Sequence, residues 1–527
     1  MESRGSVEAP CPLQVKRLLL AGDYGEMATP HTEARSSRFG QLLSGSGLYM
    51  LGNVVRRSFS LITMPVFTRY LSTSGYGVLS IVGTVQHMLE VFYEMGMGSA
   101  STRFYYDCRD ERERQALFGT LLLFSLAATL ILTVLLLATG GWIWGIVGKD
   151  VPFSPYIMLT VGTVFLGNIT VLPYVLFRVQ NQVPRFVRLS LIQTTLTVLL
   201  AVLFVVWLGL GPLGPILATF IITTIFFGVY SYSLRGQVRL LFRWPLARRA
   251  LTFGLPEVPL RWGSWALKVA DRLILQHFTS LSVVAIYSVG YSVSKVPFDL
   301  VVKAIDWALV PFYYATATTE SEGRSKAIFA RLATHNVAVV AGLGLGTVLF
   351  GRELIEILAS ARYAEAEAIV PIIVTASVLQ ALFDIPSKGI YLQGKTGYLL
   401  PLFTIPAGLN IALNFVLIPR FGMMGAAWAT LVGYAVMIIL TLAISQRIYH
   451  IPYQYGRIAK VVLTACILSA LKGGIVPAEP LLARISMNVV LLVLYPVVLC
   501  MIGYFENDEI AWIRDRFAAL VRGWARA

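Results

Sequence analysis

Ionisable side chains recur at helical spacing inside four apolar stretches of this chain. Tyr291, Lys295, Asp299, Lys303 and Asp306 follow one another at intervals of three or four residues, which places them on one face of a helix. Arg261 and Lys268 are seven apart, and Asp271 or Arg272 continues the same face. Asn53, Arg56 or Arg57, Ser60 and Met64 form a third stripe, and His87, Glu90 and Glu94 a fourth. A charged side chain in hydrocarbon costs a few kcal/mol or more, so such residues face protein or a water-filled cavity. Structural ion pairs between helices, Arg56 with Glu90 for example, would use some of these groups. Cations still exceed the carboxylates: Arg56, Arg57, Arg261, Lys268, Lys295 and Lys303, with Arg272 beyond, stand against Glu90, Glu94, Asp271, Asp299 and Asp306. A surplus of positive charge suits a ligand bearing phosphate or carboxylate, which Arg grips bidentately. The first six cations are therefore the candidate substrate-binding residues. The five carboxylates are candidates for exchanging protons or Na⁺, with Glu90 and Glu94 foremost. Asp384 and Lys388, four residues apart, read as a local pair, and His335 as a helix-packing histidine.

The elements that must carry these stripes are transmembrane helices. The chain is 56% hydrophobic and 13% charged over 527 residues, whereas soluble domains carry about 25% charged residues. Its net charge of +15 does not mark a nucleic-acid protein, because the basic residues sit in short gaps between apolar runs and not on a water-soluble domain. Apolar stretches long enough for a bilayer core fall at about 44–71, 76–100, 117–139, 155–177, 186–208, 213–234, 252–277, 283–312, 328–350, 367–392, 397–418, 423–446, 457–476 and 484–504. The fold class expected is an all-α polytopic membrane protein of about fourteen transmembrane helices. Pro256 and Pro259 are expected to kink the seventh. Alternate loops carry nineteen Lys and Arg against seven on the other side, a bias that puts both termini in the cytoplasm.

Short stretches repeat in order. "GVLSIVG" at 77–83 resembles "AIYSVGY" at 285–291, "RVQNQ" at 178–182 resembles "YLQGK" at 391–395, and "GPLGPILAT" at 211–219 resembles "GMMGAAWAT" at 422–430. Small residues recur in membrane helices because they let backbones approach, which accounts for any single pair. Three pairs in one order, each offset by about 210 residues, point instead to two parallel six-helix repeats related by a pseudo-twofold axis. Repeats of this kind place a transport site at their interface near the midplane.

The expected organisation is a disordered cytoplasmic tail at 1–40, a six-helix bundle at 41–234, a basic interfacial linker at 235–251, a second bundle at 252–448, two further helices at 449–504, and an amphipathic cytoplasmic helix at 505–527. In that last segment Ile510, Ile513, Phe517, Leu520 and Trp524 share a face, with Arg514, Arg516, Arg522 and Arg526 on others, the pattern of an interfacial helix. Cys11, Cys108, Cys466 and Cys500 make no CxxC and no close pair, so they read as packing residues. Walker A, HExxH, GxSxG and zinc spacings are missing from the sequence; no enzyme activity, cofactor or metal is expected.

"LGNVVRRSFSLITMPVFTRYLSTSGYGVLSIVGTV", followed by "GMGSASTRFYYD", resembles the N-terminal signature of Wzx-type oligosaccharide flippases of the multidrug/oligosaccharidyl-lipid/polysaccharide exporter superfamily. "FGLPEVP", "ADRLILQHF", "AIYSVGYSVSK" and "IPRFGMMGAAWATLVGY" resemble second-half motifs of the same family. The resemblance covers about residues 40–450. It implies two six-helix bundles around a cavity in a bacterial inner membrane. It also implies translocation of an undecaprenyl-diphosphate-linked oligosaccharide to the outer leaflet by alternating access, for O-antigen or exopolysaccharide. Cavity-lining cations from helices 1, 2, 7 and 8 would meet the diphosphate, and the partners implied are polysaccharide polymerase and chain-length machinery. The competing expectation is a cation-coupled small-molecule or drug antiporter of the same superfamily, which Arg56 and Arg57 in the first helix disfavour because they repel a cationic drug.

Overall fold

The computed structural model describes residues 59, 62–475, 480–510 and 514. Arg56, Arg57, the N-terminal tail and most of the C-terminal amphipathic segment lie outside the described residues. A helical stretch at 62–70 precedes α1 (Thr73–Glu94), α2 (Met97–Tyr105), α3 (Glu111–Val147), α4 (Met158–Ile169), α5 (Val171–Val179), α6 (Val183–Val202) and α7 (Leu213–Ser233). Next come α8 (Trp244–Gly254), α9 (Glu257–Trp265), α10 (Asp271–Phe278), α11 (Leu281–Thr319), α12 (Glu322–Leu349), α13 (Gly351–Leu358), α14 (Val370–Leu392) and α15 (Leu399–Ile448). α16 (Tyr455–Ile475) and α17 (Leu481–Met501) follow.

Among the described residues nine helical runs are long and apolar enough to cross a membrane. Their outer faces are apolar too: on α3, Ile131 is 69% exposed and Val134 59%. Apolar surface on that scale would drive aggregation in water, and in a bilayer it faces lipid. The chain is an all-α multi-pass membrane protein.

Three local features depart from a plain row of helices. The stretch expected as one helix at 76–100 breaks at Met95 and Gly96, whose φ values are 48° and 70°. Gly96 packs on Gly254 so closely that a Cβ would lie 2.3 Å from the Gly254 carbonyl oxygen; only glycine permits both the left-handed turn and that approach. α15 is likewise two helices, separated at Gly422 (φ 56°). The third feature is the seventh expected helix. Pro256 caps α9 and Pro259 sits in its first turn, where a missing N–H breaks no intrahelical bond. The prolines therefore start a helix where a kink was expected. The irregularity falls further on, in a π-turn at Ala266–Ala270. One extra residue in a turn rotates everything after it, and such turns recur at functional sites. Arg261, Lys268 and Arg272 have different surroundings: Arg261 is half-buried, Lys268 is exposed and Arg272 is buried.

α1 packs along α11 and α4, α14 along α15, and α12 along α16. Ser72 caps α1 by accepting from the Gly75 N–H at 3.0 Å. Ser280 caps α11 by accepting from the Val283 N–H at 3.4 Å, satisfying donors that a helix start leaves open. Where these two starts meet, Ile81, Val85 and Leu89 of α1 join Leu275, Val284, Tyr287 and Ile373 in one buried apolar cluster.

Candidate functional site

Charged residues of α1, the α9–α10 unit and α11 lie within electrostatic reach of one another, with α14 packed beside them. Lys295 of α11 donates from Nζ to Oε1 of Gln380 on α14. It lies 5.7 Å from the ring centre of Tyr291 and 5.9 Å from that of Tyr434, a range in which an aromatic face attracts a cation. Lys295 also lies within electrostatic reach of Lys268, Lys303 and Arg272, with Asp299 as the nearby anion. His87 of α1 is within reach of Arg272 and Lys268 as well. Four of the cations read from the sequence therefore lie within reach of one another, with Asp299 beside Lys295 and Asp271 beside Arg272.

Arg272 is held from several sides. It donates to Asp271 at 3.0 Å and to the Lys268 carbonyl at 2.8 Å, and its guanidinium sits 4.4 Å from the Tyr291 ring centre. Asp271 accepts in turn from the Tyr287 hydroxyl and from Thr430 Oγ1 at 3.4 Å. Asp271 and Arg272 are 1% and 6% exposed, so this is a desolvated pair, which needs such hydrogen bonds to offset the loss of water. Arg272 also lines a cavity of about 360 Å³, with Ser80, Gln86, Thr160, Thr163, Thr219 and Ser292 among its neighbours.

Arg261 stands apart. Glu94 of α1 and Glu257 of its own helix both pair with it, the second at 3.1 Å. Glu90 accepts from Gln86 at 3.0 Å and lies 3.0 Å from His87 Nδ1. The expected local pair of Asp384 with Lys388 is replaced by a cluster that reaches across helices. Lys388 lies 3.8 Å from Asp306 of α11, with Asp384 within electrostatic reach of both. His335 is not simply packed between helices: it bonds Glu509 at 2.9 Å and Tyr504 at 3.2 Å beyond α17.

The reading by stripes missed α14. Gln380, Asp384 and Lys388 recur every four residues in an otherwise apolar helix, the same signal that singled out α11. It also missed Tyr434 and Thr430 of α15, whose polar atoms carry no charge to mark them. Asn410 and Asn414, fully buried on α15, hydrogen-bond each other at 3.0 Å.

A family model described as "Polysaccharide biosynthesis protein" matches residues 42–315, over half of the chain and the whole α1–α11 part of this site. The chain belongs to that family. It is 28% identical over 239 residues to "Probable flippase AglR" of Haloferax volcanii, covering 43% of this chain and 47% of that one. A probable low-salt glycan biosynthesis flippase of the same organism is 22% identical over 228 residues, 43% of this chain and 48% of the other. The match spans about half the length of these curated relatives. The fold is shared with solved transporters of the MOP superfamily. A "Lipid II flippase MurJ, inward closed conformation" aligns at TM-score 0.70 and 13% identity over 86% of this chain and 98% of that one. An inward-facing multidrug resistance MATE family transporter of that superfamily aligns at 0.62 and 13% over 77% and 95%. Membership of the polysaccharide biosynthesis family agrees with the resemblance drawn from "VVRR" and "ADR", which lie within the matched residues.

Proposed function

We propose that this member of the polysaccharide biosynthesis family is a flippase. Its cargo is an oligosaccharide linked to undecaprenyl diphosphate, moved from the cytoplasmic to the outer leaflet by alternating access. The observation that carries the reading is that Arg272 and Lys295 both lie against the Tyr291 ring, 4.4 and 5.7 Å from its centre, with Lys268 and Lys303 within electrostatic reach of Lys295. Asp271 engages Arg272 there, and Asp299 is the further anion beside Lys295. A diphosphate carries the charge that would complete this set, and Lys and Arg heads are its usual partners. Arg56, Arg57 and Arg261 would extend the cationic path along the first helix and α9.

The working architecture is fourteen spans, as two six-helix halves at 41–234 and 252–448 with two helices appended, both termini being cytoplasmic. Close contacts between the halves at opposite ends support an alternating-access cycle. Ser80 meets Ser288 in the first half of α1. Glu94 meets Arg261, and Gly96 packs against Gly254, at the far end of the same helix. Glu90, Glu94, Asp271, Asp299 and Asp306 remain the candidates through which an ion would drive the cycle, and Asp271 is the most enclosed of them.

The test is translocation of a labelled lipid-linked oligosaccharide in proteoliposomes by wild-type protein and by Lys295→Ala. Transport that needs Lys295 supports the reading. Unaltered surface polysaccharide in a clean deletion, together with resistance to cationic drugs on overexpression, would transfer it to the antiporter alternative.

A further inference from the structure

A groove of about 1010 Å³ runs between α12, α14 and α16, away from the charged cluster. Leu345, Val348, Val374, Val378, Val462 and Ala465 give it apolar walls. Along α14 it reaches from Pro371 to Leu382, a length of about 16 Å at 1.5 Å per residue. That is close to one leaflet's share of a hydrocarbon core about 30 Å thick. One end is charged, with Arg352, Glu353, Glu365, Glu367, Lys472 and Arg484 around it.

Glu353 is 6% exposed. Its Oε1 accepts from Arg484 Nε at 2.7 Å and from Asn488 Nδ2 at 3.4 Å. Its Oε2 has no hydrogen-bond partner among the described residues. Arg484 is already shared with Glu356 at 2.9 Å, and Lys472 with the Val348 carbonyl at 3.0 Å and Glu367 at 3.5 Å. A buried carboxylate oxygen without a donor carries its full desolvation cost. An ammonium, with three N–H donors, would relieve it. The mixed signs around it, Glu365 and Glu367 beside Lys472 and Arg352, match a head that carries both charges.

We propose that the groove is a resident site for an amino-headgroup phospholipid. Its ammonium donates to Glu353 Oε2, its phosphate lies toward Lys472 and Arg352, and one acyl chain runs along α14. The site goes beyond the flippase reading and stands whether or not that reading holds. Its chemistry separates two common headgroups. Phosphatidylethanolamine offers N–H donors, whereas the methylated nitrogen of phosphatidylcholine offers none and leaves Oε2 unsatisfied.

The experiment is native mass spectrometry of the delipidated full-length protein, titrated with the two lipids carrying identical chains. Phosphatidylethanolamine should bind about tenfold more tightly, the worth of one hydrogen bond to a charged group. Glu353→Gln should abolish that preference. Thr375→Trp, an exposed position lining the groove, should remove binding of both lipids without touching the Glu353 pair. Equal binding of the two headgroups to wild type overturns the proposal, even if Glu353→Gln does not fold. A preference surviving in folded Glu353→Gln, or unchanged binding to Thr375→Trp, overturns it as well. Displacement of the bound lipid by undecaprenyl diphosphate at equal concentration also overturns it, by giving the groove to the cargo's tail.

Discussion

The hydroxyls of Ser80 and Ser288 hydrogen-bond each other where α1 crosses α11. These serines occupy matching places in "GVLSIVG" and "AIYSVGY", 208 residues apart. Thr73 and Ser282, 209 apart, bond each other at 3.3 Å one step nearer the helix starts. Two segments related by a twofold axis touch through equivalent residues where they cross at that axis, so the Ser80–Ser288 contact supports a duplicated origin; Thr73 and Ser282 are one residue out of that register. Gly77 makes the crossing possible, since a Cβ there would lie 2.1 Å from the Leu281 carbonyl oxygen.

Joining the halves at this crossing should arrest the cycle. A Ser80→Cys/Ser288→Cys double variant, oxidised to a disulfide, is expected to lose oligosaccharide translocation in proteoliposomes and to regain it on reduction. Full transport by the oxidised form would remove this contact from the moving parts.

Lys295 is expected to act through charge. Lys295→Gln preserves an amide donor for Gln380 but removes the cation, and should lower the initial rate about tenfold or more, the scale of a lost charged hydrogen bond. Lys295→Arg should retain most of it. Equal losses in the two variants, measured on protein of matched thermal stability, would assign Lys295 a packing role.

The Glu94–Arg261 contact should be a weak tie that opens readily. Both side chains are partly solvated, at 22% and 31% exposed, and partly solvated pairs contribute about 0.2–1 kcal/mol. A double-mutant cycle of Glu94→Ala with Arg261→Ala, read by thermal unfolding, is expected to give a coupling within that range. Glu94→Ala should change transport more than stability, because Glu257 at 3.1 Å still holds Arg261 when Glu94 is gone.

The segment after α17 should come loose in acid. Burial alone would raise the Glu509 carboxyl, but the Glu506 N–H at 2.9 Å and Arg457 at 2.6 Å, with His335 nearby, hold it below its ordinary 4.5. A carboxylate with a depressed value stabilises the fold above its unfolded value and loses that contribution as pH falls through the folded one. The melting temperature of the solubilised protein should therefore include a step below pH 4.5 that Glu509→Gln removes. An identical acid profile in the variant would show that Glu509 does not anchor the segment.

Much of this protein is written in its residue types. Long apolar runs dictate helices in a bilayer, because each backbone donor must be satisfied within its own segment. Charges at helical intervals then mark the faces that cannot meet lipid, which is why the α11 stripe, and the α14 stripe overlooked beside it, can both be found by counting. The short strings that recur at offsets of 208, 213 and 211 residues can be read there too.

Which charge meets which was decided only by the tertiary structure. Counting by four pairs Lys388 with Asp384, yet the folded chain sets Lys388 against Asp306 of another helix. Counting by seven stacks Arg261 with Lys268, and the π-turn at Ala266–Ala270 sends them to different surroundings. Spacing along a helix fixes a direction in space, but a long flexible side chain takes whichever opposite charge the neighbouring helix brings within reach. That neighbour is chosen by packing over the whole bundle.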